Sequence, residues 1–173
     1  VHEVAELATP KAVLNYFTSS KVEIPQFLRA RDVMTVHPVT LLENNTLGEA
    51  IEIFATKNVD EIPVIDDVRE LRGVVALSDL LKFSLPEHIL WMDDLSSVYR
   101  FQPFSEVLQT ADETKVADFM REEFITVNED IPAVQLAKLF LVHKLQKLLV
   151  VDASNKLTGI VELKDFCAKL FWE

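Results

Sequence analysis

Apolar positions along this chain come in short blocks, and the blocks come twice. Val39-Thr40-Leu41-Leu42 predicts a short strand. Thr46-Leu47-Gly48-Glu49 follows with a hydroxyl and, three residues on, a glutamate, a pairing in which each side chain satisfies the other residue's backbone amide. Ala50, Ile51, Ile53 and Phe54 then recur at helical spacing. Glu61-Ile62-Pro63-Val64-Ile65-Asp66 predicts a second, β-branched strand, and its proline points to the start or the edge of that strand. After the polar turn Asp67-Val68-Arg69-Glu70, Gly73 reads as a turn glycine opening a third strand that runs to Leu77. Ser78 or Asp79 then caps a closing helix through Leu80, Leu81 and Phe83, which Pro86 stops.

The same order returns 86 positions later. Asp32-Met34 reappears as Asp118-Met120, Val39-Thr40 as Ile125-Thr126, Ile53-Phe54 as Leu139-Phe140, and Ile65-Asp66 as Val151-Asp152. Only three glycines occur in the chain, and two of them, Gly73 and Gly159, keep this register. Pro132 stands where a helix start is expected. The fold class is therefore α/β (α+β), with two tandem β-α-β-β-α repeats over 31–85 and 115–173. Residues 1–30 form an N-terminal helical extension: Thr9-Pro10 starts a helix that carries Val13, Leu14 and Phe17 on one face. Residues 86–114 form a helical insert, with helices expected over roughly 86–99 and 103–110, broken at Pro103. Trp91, Tyr99, Phe101 and Phe104 make it the most aromatic stretch. Those rings either pack on the domain or present a surface for self-association or a partner domain.

Composition narrows the function classes. With 173 residues, 49% of them hydrophobic and 26% charged, the chain can bury a core. No apolar run approaches the ~18 residues of a membrane span and no signal sequence is evident, so direct membrane insertion is not expected. A net charge of −11 argues against nucleic acid and anionic membranes, whereas a phosphate ligand needs only a few local donors. The lone Cys167, set among Phe166, Ala168, Leu170 and Phe171, reads as buried filler. It fits a reducing, cytoplasmic compartment. There is no Gly-rich phosphate loop, no paired-histidine metal motif and no nucleophile at a recognised spacing from a base, so neither an enzyme nor a metal centre is expected. The chain opens on Val1 rather than Met, as a piece of a longer protein would.

The doubled motifs carry a resemblance. Asp32-x-Met34 and Asp118-x-Met120, Ile62-Pro63-Val64-Ile65-Asp66 and Leu148-Leu149-Val150-Val151-Asp152, and two runs from Gly73 to Asp79 and Gly159 to Asp165 occur in constant register. Together they resemble a tandem pair of CBS (cystathionine-β-synthase) domains, the Bateman module, over about 31–85 and 117–172. The resemblance implies a pseudo-two-fold module with two clefts that often hold AMP, ADP, ATP or S-adenosylmethionine. It also implies a regulatory role beside an enzyme, channel or transporter domain, and pairing into a homodimer.

In that family a Ser or Thr follows the Gly-led strand, and an Asp three residues later accepts both ribose hydroxyls. Here the acids are Asp79, beside Ser78, and Asp165, each equally suited to capping a helix. The hydroxyl position holds Ala76 in one unit and Glu162 in the other. Ala76 donates nothing, and Glu162 sets negative charge where a phosphate would lie unless Lys164 or a bridging Mg²⁺ offsets it. Val36, His37 and Pro38 with Ile62 and Pro63, and Phe124, Ile125 and Thr126 with Leu148 and Leu149, are expected as apolar walls and backbone amides around a purine. His143, Lys144 and Lys147 form a basic patch, either a solvated face or the completion of an anion site from one repeat to the other. The expected function is a regulatory sensor of an adenosine-type nucleotide that requires no cofactor and modulates an attached or partner protein. The alternative is a structural dimerisation module whose clefts have decayed. Of the two clefts, the one using Asp79 is favoured, because nothing there repels a phosphate.

Overall fold

The computed structural model describes residues 28–100 and 102–173, so the helix expected from Thr9-Pro10 and the aromatic Phe101 lie outside the described residues. Unit one opens with one helical turn, α1 (Ala30–Val33), and a short strand, β1 (Thr35–Val36). It continues with β2 (Leu41–Leu42), α2 (Leu47–Lys57), β3 (Glu61–Ile65), β4 (Leu71–Ala76) and α3 (Leu77–Ser84). The insert carries two short 3-10 turns, Glu87–Trp91 and Ser96–Val98, and then α4 (Pro103–Gln109). Unit two opens with a 3-10 turn at Val116–Asp118 and continues with β5 (Thr126–Val127), α5 (Ala133–His143), β6 (Lys147–Val151), β7 (Leu157–Glu162) and α6 (Leu163–Phe171).

Local chemistry sets these boundaries. At the start of α2, the Glu49 amide donates to Thr46 Oγ1 at 3.1 Å and the Thr46 amide donates to Glu49 Oε1 at 2.9 Å. α2 and α5 both end on left-handed residues, Asn58 and Lys144, with φ of 51° and 53°. Asp66 and Asp152 build the turns after β3 and β6, each carboxylate accepting two backbone amides further along the loop. The aspartates of the two Asp-x-Met motifs cap the opening turns, accepting from the Arg29 and Lys115 amides.

The sheet orders are β2-β3-β4 and β1-β7-β6-β5. β3 and β6 are buried on both faces, which is why their sequences read as continuous apolar runs. Residues alternate between two destinations. Ile62 and Val64 join Leu41, Ala50 and Val116 under the helices of unit one. Leu148 and Val150 join Leu136, Phe140 and Phe166 under those of unit two. Ile65, Leu71 and Val74 meet Leu149, Val151, Leu157 and Ile160 where the two sheets face each other.

Three expectations are corrected here. Pro63 sits inside the central strand β3, not at a start or an edge. Its partner Val74 exchanges both backbone hydrogen bonds with Arg121, at 2.9 and 2.8 Å, so it asks none of Pro63. β2 pairs only with Val64 and Ile65, beyond the proline, so the missing N–H costs no ladder bond. Gly73 and Gly159 are not turn residues but lie within β4 and β7, and neither has a positive φ. The left-handed turn positions are Arg69 and Asn155. The helix expected over roughly 86–99 is instead two 3-10 turns, interrupted where Asp94 accepts the Ser96 amide. Trp91 and Tyr99 stand 78% and 75% exposed, so these insert rings do not pack on the domain.

The glycines are small because the repeats cross over. β1, from the opening of unit one, pairs antiparallel with β7 of unit two, while Arg121, from the opening of unit two, bridges to Val74 on β4 of unit one. A Cβ on Gly73 would stand 2.6 Å from Met120 Sδ and 2.8 Å from the Arg121 carbonyl oxygen, and one on Gly159 would stand 2.8 Å from Met34 Sδ and 2.9 Å from the Thr35 carbonyl oxygen. Gly73→Ala and Gly159→Ala are therefore expected to destabilise the protein by about 1–3 kcal/mol each, read by urea unfolding. Gly48→Ala, which meets only the tip of exposed Asp112 at 3.2 Å, is expected to be neutral or stabilising in the same assay.

Candidate ligand clefts

Two adjoining crevices open between the units, each of about 380 Å³, a size that suits a small-molecule ligand. The first is lined by Asp60, Glu61, Ala76, Leu77 and Ser78 from unit one and Lys144, Leu145, Gln146 and Lys147 from unit two. The second is lined by Asn58, Val59, Asp60 and Leu77 from unit one and Gln146, Lys147, Glu162 and Lys164 from unit two. Shifting the first set by the repeat offset largely generates the second, so the crevices are pseudo-symmetric mates. Each joins the mouth of one unit's closing helix to the segment leading into the other unit's central strand.

The acids at the two helix mouths differ sharply. Asp79 is 6% exposed, and its Oδ2 accepts the Ala76 amide at 2.7 Å and Arg121 Nε at 3.1 Å. Arg121 also reaches Glu61 Oε2 with its terminal nitrogen at 3.1 Å. Burial disfavours the guanidinium's charge, but the hydrogen bond and charge of Asp79, reinforced by Glu61, outweigh it and raise the pKa above its ordinary value. Asp165, in the first turn of α6, is exposed, and its carboxylate has no hydrogen-bond or ion-pair partner among the described residues. Thr35 occupies the position in unit one that Arg121 occupies in unit two, and it carries no charge to offer Asp165.

Other candidates fall as follows. Ala76 and Ser78 line the first crevice, and Glu162 and Lys164 the second. Lys144 and Lys147 from the basic patch face Ala76 and Ser78 across the first crevice, whereas His143 lies off both linings. Among the described residues Lys144 and Lys164 have no ion-pair partner, while Lys147 donates to Asp60 Oδ1 at 2.7 Å across the two units. Ile62, Pro63, Leu148 and Leu149 are buried inside the sheets, and the crevice walls are made one step earlier, by Asp60 and Glu61 and by residues 144–147. Val36 is exposed on β1 beside Gly159, His37 follows with a φ of 54°, and Pro38 is half-buried. Phe124 packs on the sheet-to-sheet cluster, Ile125 on the core of unit two, and Thr126 opens β5. Sequence reasoning missed Arg121, Asp60 and Glu61. Arg121 had one available signal, a cation directly after the second Asp-x-Met where the first copy has Thr35.

The CBS-domain family model matches residues 30–86 and 116–171, most of the chain and both units. The chain belongs to the CBS-domain family. This CBS pair is 28% identical over 143 residues to the inosine-5'-monophosphate dehydrogenase of Aquifex aeolicus, covering 83% of the chain but only 24% of that enzyme. It is 27% identical to an uncharacterized protein of Methanocaldococcus jannaschii, covering 84% of this chain and 92% of that one. Among solved structures it resembles CBSX2, a CBS-pair protein of Arabidopsis thaliana whose structure has been determined in complex with AMP. In that complex the TM-score is 0.63 at 26% identity, over 82% of this chain and 95% of the other. Among the described residues, no group of His, Cys, Asp and Glu is placed to hold a metal ion, and no helix is long and apolar enough to cross a membrane.

The bond between Lys147 and Asp60 gives the paired crevices a pH dependence. The hydrogen bond from Lys147, with its charge, holds the Asp60 carboxyl below its ordinary 3.8 against partial desolvation. A carboxyl depressed in the folded state contributes stability that is present above the unfolded pKa and lost as pH falls through the folded one. Asp60→Asn is expected to lower the urea midpoint at neutral pH, with the deficit starting to shrink as pH falls below about 4 and vanishing only below the depressed folded pKa.

Proposed function

We propose that this CBS pair is a regulatory sensor that binds an adenine nucleotide in the crevice between Ser78 and Lys144, beside the buried Asp79, and so biases an attached or partner protein. The observation that carries this reading is the cross-unit make-up of that crevice. Ser78 and the mouth of α3 come from one unit, and Lys144 and Lys147 come from the other. A phosphate placed there meets Lys144, a cation without an ion-pair partner among the described residues, and a second cation, Lys147, whose carboxylate Asp60 is largely exposed. Asp79, buried next to Ala76 and Ser78 though off the crevice lining itself, is the acid that would accept a ribose diol, and the AMP complex of CBSX2 makes an adenine nucleotide the natural ligand to test.

A ligand that touches both units changes the angle between them only if it binds one arrangement more tightly than the other. The regulated protein is an enzyme or transporter domain in the same chain or a separate partner, in a cytoplasmic setting. A second reading is a structural dimerisation module, favoured by the Arg121 that already fills Asp79 and by the exposed Trp91 and Tyr99.

Thermal unfolding with AMP, ADP, ATP and S-adenosylmethionine separates the two readings. AMP at 100 times its Kd is expected to raise apparent stability by about 2.7 kcal/mol. Lys144→Gln is expected to weaken AMP several-fold while leaving adenosine unchanged. A midpoint unmoved by millimolar concentrations of every ligand, together with a stable dimer, would support the structural reading.

A further inference from the structure

We infer that Arg121 is the residue that makes the Asp79 cleft select phosphorylated nucleotides over nucleosides. The inference rests on the proposed nucleotide-binding role and concerns how that cleft discriminates. Asp79 is almost wholly buried, and the oxygen that accepts Arg121 Nε at 3.1 Å also accepts the Ala76 amide. One of the two oxygens a ribose diol would use, Oδ2, is therefore already occupied by a side chain from the other unit. A diol that engages both carboxylate oxygens gains Oδ2 only by displacing the guanidinium.

The geometry lets that displacement happen without disturbing the fold. Two backbone hydrogen bonds to Val74 fix the Arg121 main chain, while its side chain is 43% exposed. Its other partner, Glu61, lines the crevice. The released guanidinium stays tethered to Glu61 at the crevice wall, and from there it turns toward the phosphate. Adenosine removes Arg121 from Asp79 and offers no anion in return, leaving the cation with Glu61 alone. A phosphorylated nucleotide offers both groups at once, the diol for Asp79 and a phosphate that the guanidinium can grip through two parallel hydrogen bonds. The mate cleft has no such device, since Thr35 stands at the equivalent position and Asp165 is unpartnered.

Calorimetric titration of AMP and adenosine tests this, in an Asp165→Ala background so that binding reports the Asp79 cleft. With Arg121 intact, AMP is expected to bind at least about tenfold tighter than adenosine; Arg121→Ala is expected to tighten adenosine and to shrink the AMP-to-adenosine ratio by about tenfold. Arg121→Lys, which keeps the charge but loses the fork, is expected to fall between them. An unchanged ratio with AMP still bound overturns the inference and leaves the nucleotide-binding role standing. No binding of AMP to either protein overturns both. Should Arg121→Ala fail to fold, Glu61→Gln decides instead: the less tightly held Arg121 is expected to let AMP bind several-fold tighter, and an unchanged or weaker affinity overturns the inference.

Discussion

The rest of the structure depends on one close approach, the passage of each repeat's opening segment across the last strand of the other. Met120 and the Arg121 carbonyl lie against Gly73, and Met34 and the Thr35 carbonyl lie against Gly159. Any side chain at either glycine would hold the two backbones apart, break the Val74–Arg121 and Ile160–Thr35 pairings, and open the cluster between the sheets. The crossing also places Ala30 and Val33 of unit one in the core of unit two, and Val116 of unit two in the core of unit one. Neither unit closes its own core, which is a physical reason for the repeat to occur as a pair.

From that crossing follows the composition of the clefts. Each helix mouth faces the other unit's strand lead-in, so a ligand in either crevice touches both units. The scaffold is symmetric while the chemistry is not. Glu61 stands opposite Lys147 in register, Ala76 opposite Glu162, Ser78 opposite Lys164, and Thr35 opposite Arg121. One helix mouth consequently carries a buried acid neutralised by an arginine, and the other an exposed acid with no partner among the described residues. Divergence between two copies on a shared frame gives two chemically different crevices without any change of fold.

Much of the fold was legible in the sequence because its signals are local. The capping pair Thr46 and Glu49 and the strand runs before Asp66 and Asp152 act within a few residues of themselves, and the constant register of Gly73 and Gly159 shows that they are written twice. What was not legible is what depends on which unit meets which. Gly73 looks like a turn residue until Met120 is seen against it, and Pro63 looks like an edge residue until Val74 is seen bonded to Arg121 instead. The aromatic insert gave a helical pattern over roughly 86–99, but the Asp94 turn divides that stretch into two pieces too short for an α-helix. At the site, Asp79 and Asp165 look equivalent in one dimension. Only the fold brings Arg121 to the first and leaves the second bare.

The central claim is that the Asp79 cleft is a nucleotide site shared between the units, and the most direct measurement is a crystal structure of the protein grown with saturating AMP. The account predicts one AMP with its ribose hydroxyls on Asp79, its phosphate against Lys144 and Lys147 of the other unit, and Arg121 moved off Asp79 toward that phosphate. AMP held by residues of a single unit, or an Asp79–Arg121 pair intact with the crevice empty at saturating AMP, would contradict it.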